Sequence, residues 1–141
     1  MKEKIYQVDA CTKDIFGGSR SAVVPLRSWF RDELLQKMAM ENDLAETTFF
    51  VEYDDKYYIR WFTPTAEVDL CGEATLAAAF VIYEFEKYPG NTIHFFSRGT
   101  GEFKVTKQEN VLTLDLPSER ARISGACKLI LVGEILIGNI N

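Results

Sequence analysis

One stretch of the chain is apolar on every side. Residues 76–83, LAAAFVIY, carry no polar group except the hydroxyl of Tyr83. A helix with one face in water would show polar residues every three or four positions. Segment 69–88 is therefore expected to hold a buried helix. The free N–H groups at its amino end then need a side chain, water or an anionic ligand.

The rest of the pattern predicts strands and one further helix. Leu34, Leu35 and Met38 recur at helical spacing, which indicates an amphipathic helix over about residues 31–42. Apolar and polar residues alternate elsewhere, as in a sheet covered on one face. The predicted strands cover residues 5–10, 22–26, 47–53, 57–62, 92–97, 102–106 and 111–116. A mainly antiparallel sheet curled around the buried helix satisfies both features, so the predicted fold class is α+β.

The pattern changes after the last of these strands. Two short apolar runs, 129–132 and 135–137, lie on either side of Gly133 and Glu134. An uncovered apolar strand tends to pair with other chains. We therefore predict one domain over residues 1–117 and an atypical apolar tail over 118–141, which docks on the domain or pairs with another chain.

Composition and charge narrow the class of protein. The chain has 141 residues, 47% of them hydrophobic, which suits one domain with a real core. Its 16 basic residues are scattered among 21 acidic ones, giving a net charge of -5, which disfavours nucleic-acid binding. No run approaches the ~20 apolar residues that cross a bilayer, and no leader peptide is recognised. The expectation is a cytoplasmic protein without a membrane partner.

The cysteines and the single histidine give little support to metal or triad chemistry. Cys11, Cys71 and Cys127 form no CxxC pair and are expected to be reduced and buried. His94 lies in the strand-like TIHFF, and zinc binding or a histidine-dependent triad would depend on that residue alone. We interpret it as a sheet histidine and predict no metal site.

Four blocks of sequence resemble a known family. In order, they are YQVDACTKDIFGGSRSAVVPL, MENDLAETTFFV, YYIRWFTPTAEVDLCGEATLAAAFVIY and LTLDLP. They are similar to the amino-terminal half of the phenazine biosynthesis-like (PhzF-like) isomerases, relatives of diaminopimelate epimerase, over about residues 4–117. The resemblance implies a diaminopimelate epimerase-like domain, in which a curled sheet forms a barrel around a central helix, here residues 72–88. Full-length members have two such domains.

The resemblance also implies a chemistry and a site. Family members isomerise small carboxylate metabolites by moving a proton, without metal or organic cofactor, in a cleft between the domains. The glutamate of LAETTFF, Glu46, is the implied acid/base residue; without the resemblance it would be interpreted as a solvated loop carboxylate. A partly buried carboxyl can take and return a proton while helix N–H groups stabilise the developing charge. The implied substrate-binding residues are Gly17, Gly18, Ser19, Cys71, Gly72, Glu73, Ala74 and Thr75.

Three departures from the family pattern bear on activity. Glu73 stands where the family has histidine, and an ionised carboxylate there would compete with a substrate carboxylate. Glu73 is therefore expected to be protonated or turned away, or else the substrate is not a carboxylate. Ser19-Arg20-Ser21 replaces Asn-Pro-Ala, so that Arg20 either contacts an anion or faces solvent. The third departure is that no second domain is recognised after residue 117.

Two classes of function follow. The first is a cofactor-independent biosynthetic isomerase of half length, either active as a homodimer that rebuilds the cleft or a truncated relative without turnover. The alternative is a non-catalytic binding or assembly module on the same scaffold, which also forms a homodimer. Two-thiol epimerase chemistry would need a second thiol facing Cys71 from another chain.

Overall fold

The computed structural model describes residues 2–11, 18–116 and 122–138. This part of the chain forms one sheet of ten strands and two helices. The elements are β1 (Lys2–Ala10), β2 (Ser19–Leu26), α1 (Asp32–Asn42), β3 (Glu46–Tyr53), β4 (Lys56–Phe62), β5 (Glu67–Val68), α2 (Gly72–Phe85), β6 (Thr92–Ser97), β7 (Gly101–Gln108), β8 (Val111–Asp115), β9 (Arg122–Gly125) and β10 (Cys127–Leu136). Each strand predicted from the sequence is present, in several cases one to three residues longer.

The sheet is mainly antiparallel, as predicted. Its strand order is β10-β1-β2-β3-β4-β6-β7-β8-β9, with the short β5 paired to β4. The β2–β3 and β4–β6 pairs are parallel. Parallel neighbours need a long crossover, and each helix supplies one, since α1 connects β2 to β3 and α2 lies between β4 and β6.

The sheet curls around α2. This helix contacts β10, β1, β2 and β3 from one half of the sheet and β8 and β9 from the other. Its residues from Ala74 to Tyr83 are buried except Phe80, which is partly exposed. The α+β fold with a central buried helix is thus confirmed. The helix ends at Phe85, earlier than predicted, because Lys87 adopts a left-handed φ of 58° and Pro89 follows.

The second helix, α1, covers the outer face of the sheet. Its buried residues Leu35, Met38 and Ala39 pack with side chains of β2 and β3 in a separate apolar cluster. Asp32 and Glu33 occupy its first turn, where negative charge is favourable. The strand that carries the candidate catalytic residue therefore lies between two apolar layers.

The apolar tail forms the last two strands. β9 pairs with β8, and β10 pairs antiparallel along the whole of β1, from Lys2 opposite Leu136 to Ala10 opposite Cys127. Leu136 remains 74% exposed. The proposed boundary at residues 117 and 118 lies outside the described residues, so the division into domain and tail stays a prediction. Neither α1 nor α2 is long and apolar enough to span a membrane.

Candidate functional site

Glu46 begins β3 and lies beside β2. The parallel register places it next to Ser21. Its side chain is partly buried, and the Oε2 atom is shielded from solvent with no hydrogen-bond partner in the described part of the chain. Burial raises the pKa of this carboxyl, and a hydrogen bond from the thiol of Cys71 partly offsets that rise. The result is a partly buried carboxyl whose Oε2 is uncommitted in the described part of the chain.

Cys71 is the N-cap residue of α2, with an extended backbone at φ -139° and ψ 111°. The first helical hydrogen bond runs from the N–H of Thr75 to the carbonyl of Cys71 at 3.0 Å. The N–H groups of Gly72, Glu73 and Ala74 precede that bond and so have no partner within the helix. Glu46 and Cys71, far apart in the sequence, therefore meet at the positive end of the buried helix.

The thiol of Cys71 is affected by several neighbours. Burial raises its pKa, as do the carboxylates of Glu46 and Glu73, while the N–H groups of Ala74 and Glu73 lower it. The Cys71 side chain makes no capping hydrogen bond. The two N–H groups lower the pKa because a nearby N–H dipole favours the thiolate over the thiol. Cys71 is half-buried and contacts Glu46 through its thiol, which differs from the ordinary buried cysteine expected from the sequence.

Thr75 faces the protein interior. Its hydroxyl donates to the carbonyl of Cys71 at 2.7 Å and accepts from the indole Nε1 of Trp61 at 3.0 Å. The side chain is 0% exposed. The backbone of Thr75 belongs to the predicted helix start, but its hydroxyl is already engaged by protein groups.

Glu73 is exposed and interacts with Cys11. The thiol of Cys11 donates a hydrogen bond to the Glu73 carboxylate; burial and then this negative charge raise the pKa of the thiol. Of the alternatives expected for Glu73, the geometry corresponds to a side chain turned toward the end of β1. Its charge nevertheless remains close enough to raise the pKa of Cys71.

The glycine-rich turn is only partly described. Gly17 lies outside the described residues. Gly18 is exposed in a bend, and Ser19 begins β2 opposite Ala10. Ser21 is the β2 residue that the register places beside Glu46, and it was not singled out from the sequence.

Arg20 lies on a strand and forms an ion pair. Its Nε donates to Oδ1 of Asp9 at 3.0 Å, and Asp9 is 1% exposed against 34% for Arg20. Neither sequence-based expectation for Arg20, a solvent-facing turn residue or an anion contact, included this pairing. The acidic residue within the apolar YQVDA was the available signal, because an acidic side chain is rarely buried without a partner.

The three cysteines have different environments. All are free thiols, but Cys11 is exposed, Cys71 is intermediate and Cys127 is buried. The prediction that all three are buried is wrong for Cys11, which is exposed just after the last residue of β1, and for Cys71, which is only partly buried. His94 lies on β6 with an exposed side chain. Within the described ranges, no three His, Cys, Asp or Glu side chains group as metal ligands would.

Comparison with known proteins identifies the family. The family model for phenazine biosynthesis-like proteins (PhzC-PhzF) matches residues 8–130. The chain belongs to the phenazine biosynthesis-like family. It is 43% identical over 119 residues to an uncharacterized isomerase of Pseudomonas aeruginosa, a match that covers 84% of this chain and 45% of the relative.

Solved structures support the same assignment. A crystal structure of a PhzF family protein from Enterococcus faecalis matches with a TM-score of 0.79 and 42% identity, covering 81% of this chain and 44% of that one. A hydroxyproline epimerase from Agrobacterium vitis matches with a TM-score of 0.59 and 8% identity, covering 80% of this chain and 41% of that one, which shows the fold alone. The resemblance to the PhzF-like family and its epimerase-like fold is confirmed.

This phenazine biosynthesis-like chain spans about half the length of the relatives that it matches. The candidate site at Glu46 and the start of α2 lies within the matched residues. The roles of the predicted site residues remain predictions.

Proposed function

We propose that this chain is an isomerase that moves a proton at a carbon atom of a small carboxylate metabolite, with Glu46 as the acid/base residue. The observation that carries the proposal is the uncommitted Oε2 of Glu46, shielded from solvent beside the amino end of α2. In this proposal no metal or organic cofactor takes part, and the protein acts in the cytoplasm.

The chemistry needs a base whose pKa is near the working pH. Burial moves the pKa of Glu46 upward, in the direction that suits a group which must both take and return a proton. Removing a proton next to a carboxylate leaves negative charge on the substrate. The N–H groups at the start of α2 that have no partner within the helix are fixed dipoles, which stabilise such charge without reorganisation.

A second copy of the chain is proposed to complete the site. The match covers 45% of the P. aeruginosa relative. The family resemblance implies a cleft between two similar domains. A homodimer would place two curled sheets face to face and give each Glu46 an opposite wall.

Deuterium uptake tests the proposal directly. The chain is incubated in heavy water with a panel of small carboxylates, and loss of the C–H signal is followed by NMR. We expect uptake by the natural chain, its loss in Glu46→Gln, and its retention in Glu52→Gln, an exposed glutamate on the same strand. Uptake that survives Glu46→Gln would remove Glu46 from the acid/base role.

One observation favours a second candidate, a non-catalytic binding or assembly module. The carboxylate of Glu73 lies beside the α2 start, so a substrate carboxylate bound there would meet a like charge. This candidate predicts no deuterium uptake in the natural chain and a dimer whose interface protects residues 71–75 from hydrogen exchange. Light scattering at several concentrations, combined with exchange mapping, separates the two. Uptake gained in Glu73→His would favour the isomerase scaffold.

A further inference from the structure

Two consecutive hydrogen bonds, one buried and one partly buried, connect strand β4 to the first turn of α2. The indole Nε1 of Trp61 donates to the Thr75 hydroxyl at 3.0 Å, and that hydroxyl donates to the Cys71 carbonyl at 2.7 Å. Trp61 is 1% exposed and Thr75 is 0% exposed. The Trp61–Thr75 bond is therefore shielded from solvent, and the Thr75–Cys71 bond is partly shielded.

The direction of these bonds is fixed by chemistry. An indole N–H can only donate, so the Thr75 oxygen must accept from it. The single hydroxyl hydrogen of Thr75 is then committed to Cys71, whose carbonyl also accepts from the N–H of Thr75 at 3.0 Å. Cys71 is thus held by two bonds from one residue, and that residue is held by Trp61.

The same residues also connect to Glu46 through the sheet. Trp61 lies opposite Thr48 in the β3–β4 register, and Glu46 is two residues before Thr48 on β3. The Glu46 carboxyl in turn accepts a hydrogen bond from the Cys71 thiol. These contacts form a closed loop. The β3 backbone joins Glu46 to Thr48, and strand pairing places Thr48 opposite Trp61. Hydrogen bonds then join Trp61 to Thr75, Thr75 to Cys71, and Cys71 to Glu46.

We propose that Trp61 and Thr75 are positioning residues, which hold the Cys71 thiol against the Glu46 carboxyl and so fix the orientation of the proposed acid/base group. In this proposal neither side chain contacts substrate, because both are buried, and their effect passes through Cys71. The functional meaning of this role rests on the proposed isomerase activity, whereas the geometry itself does not.

The substitutions separate a positioning role from simple packing. Thr75→Val keeps the shape but removes both hydroxyl bonds, Thr75→Ser restores the hydroxyl, and Trp61→Phe removes the indole donor. Thr48→Val is the matched control, because Thr48 is also 0% exposed and its hydroxyl has no hydrogen-bond partner in the described part of the chain. The Thr48 change should therefore leave the site unaltered.

Two measurements report on the site without relying on activity. The first is the rate at which iodoacetamide alkylates Cys71 in the native chain, with the buried Cys127 as internal reference. The second is the pKa of Glu46, followed by NMR of the labelled carboxyl carbon. The hydrogen bond from Cys71 lowers the Glu46 pKa, so losing that bond should raise the pKa.

We expect Thr75→Val to speed Cys71 alkylation about tenfold, through local opening of the first turn, and to raise the Glu46 pKa. Trp61→Phe should raise the Cys71 alkylation rate and the Glu46 pKa by smaller amounts. Thr75→Ser and Thr48→Val should stay within about twofold of the natural rate, because both keep the hydrogen bond to Cys71. If Thr75→Val does not fold, Trp61→Phe, which loses the indole donor, is compared with Thr75→Ser, which keeps the hydroxyl.

Two results would overturn the proposal. One is that Thr75→Val or Trp61→Phe lowers stability while Cys71 alkylation and the Glu46 titration stay at their natural values. The other is that Thr75→Ser behaves like Thr75→Val, which would show that the hydroxyl is not the determinant. Absence of deuterium uptake in the natural chain would count against the isomerase proposal only. The Cys71 alkylation rate and the Glu46 titration would still test the positioning role.

Discussion

Arg20 donates a hydrogen bond to Asp9 at 3.0 Å, across the antiparallel pair of β1 and β2. Asp9 is 1% exposed, so its carboxylate is removed from water and depends on the charges around it. Breaking such a pair from one side leaves a buried charge without compensation, which costs more than the pair itself contributes.

Arg20→Met should therefore lower the free energy of unfolding by about 3 kcal/mol. Urea denaturation measures this change in the free energy of unfolding. Arg98→Met is the control, because Arg98 is 74% exposed in its pair with Glu67 and an exposed pair contributes about 0–1 kcal/mol. Equal effects of the two substitutions would show that Asp9 does not depend on Arg20.

The stability contributed by Glu46 should depend on pH. Burial raises its pKa above the ordinary value of 4.5, so the folded chain holds a proton over an interval in which the unfolded chain has lost it. That contribution is fully present below the unfolded pKa and is lost as the pH rises through the folded pKa. Glu46→Gln does not titrate, so it should gain stability relative to the natural chain between about pH 4 and about pH 7.

Urea denaturation of both chains at the two pH values checks this, with Glu52→Gln as the exposed control on the same strand. A constant difference between Glu46→Gln and the natural chain, or a change of opposite sign, would mean that the folded pKa of Glu46 is not raised.

The fold was largely predictable because its main signals are local. The absence of a polar stripe in LAAAFVIY required burial of α2, and period-two alternation located the strands around it. In the tight turn between β3 and β4, Asp54 and Asp55 both adopt positive φ values, a conformation that aspartate tolerates better than most residues. The early end of α2 was missed because it depends on the backbone of Lys87, which no side-chain pattern reveals.

The candidate site was less predictable because its contacts join distant segments. The meeting of Glu46 with the start of α2 followed from the family resemblance, since residues 46 and 71 share no local pattern. The Trp61–Thr75 bond and the Cys11–Glu73 contact depend on strand register and on how β1 ends beside α2. Register is a property of paired strands, so the sequence of one strand alone does not determine it.

Glu73 should control the reactivity of Cys11. Burial raises the pKa of this thiol, and the Glu73 carboxylate raises it further by charge and by accepting its hydrogen bond. Glu73→Gln removes the negative charge, so the pKa falls and the thiolate fraction at a given pH rises. We expect Cys11 alkylation in Glu73→Gln to be about threefold to tenfold faster at about pH 7.5.

Peptide mapping by mass spectrometry after timed alkylation measures this rate. Cys127 is the internal reference, because burial raises its pKa to about 12 and it should be the last thiol to react. Glu41→Gln removes an exposed carboxylate from α1 and should leave the Cys11 rate unchanged. An unchanged rate in Glu73→Gln would contradict the contact between Glu73 and Cys11.

Gly125 ends β9 directly beside the end of β1. A Cβ atom at this position would lie 2.9 Å from Cα of Cys11 and 3.0 Å from its Sγ. The sulfur can rotate away, but Cα is backbone, so Gly125→Ala would force β1 and the β9–β10 corner apart. We expect a loss of about 1–3 kcal/mol in the free energy of unfolding, measured by urea denaturation.

Two comparisons show whether the close approach of the backbone sets this cost. Gly138→Ala should be nearly neutral, because a Cβ atom there would have no other atom within 4 Å. Adding Cys11→Ala to Gly125→Ala removes the sulfur but leaves the Cys11 backbone in place, so it should recover little stability. Full recovery in the double variant would mean that the thiol, and not the approach of the two chain segments, requires glycine at this corner.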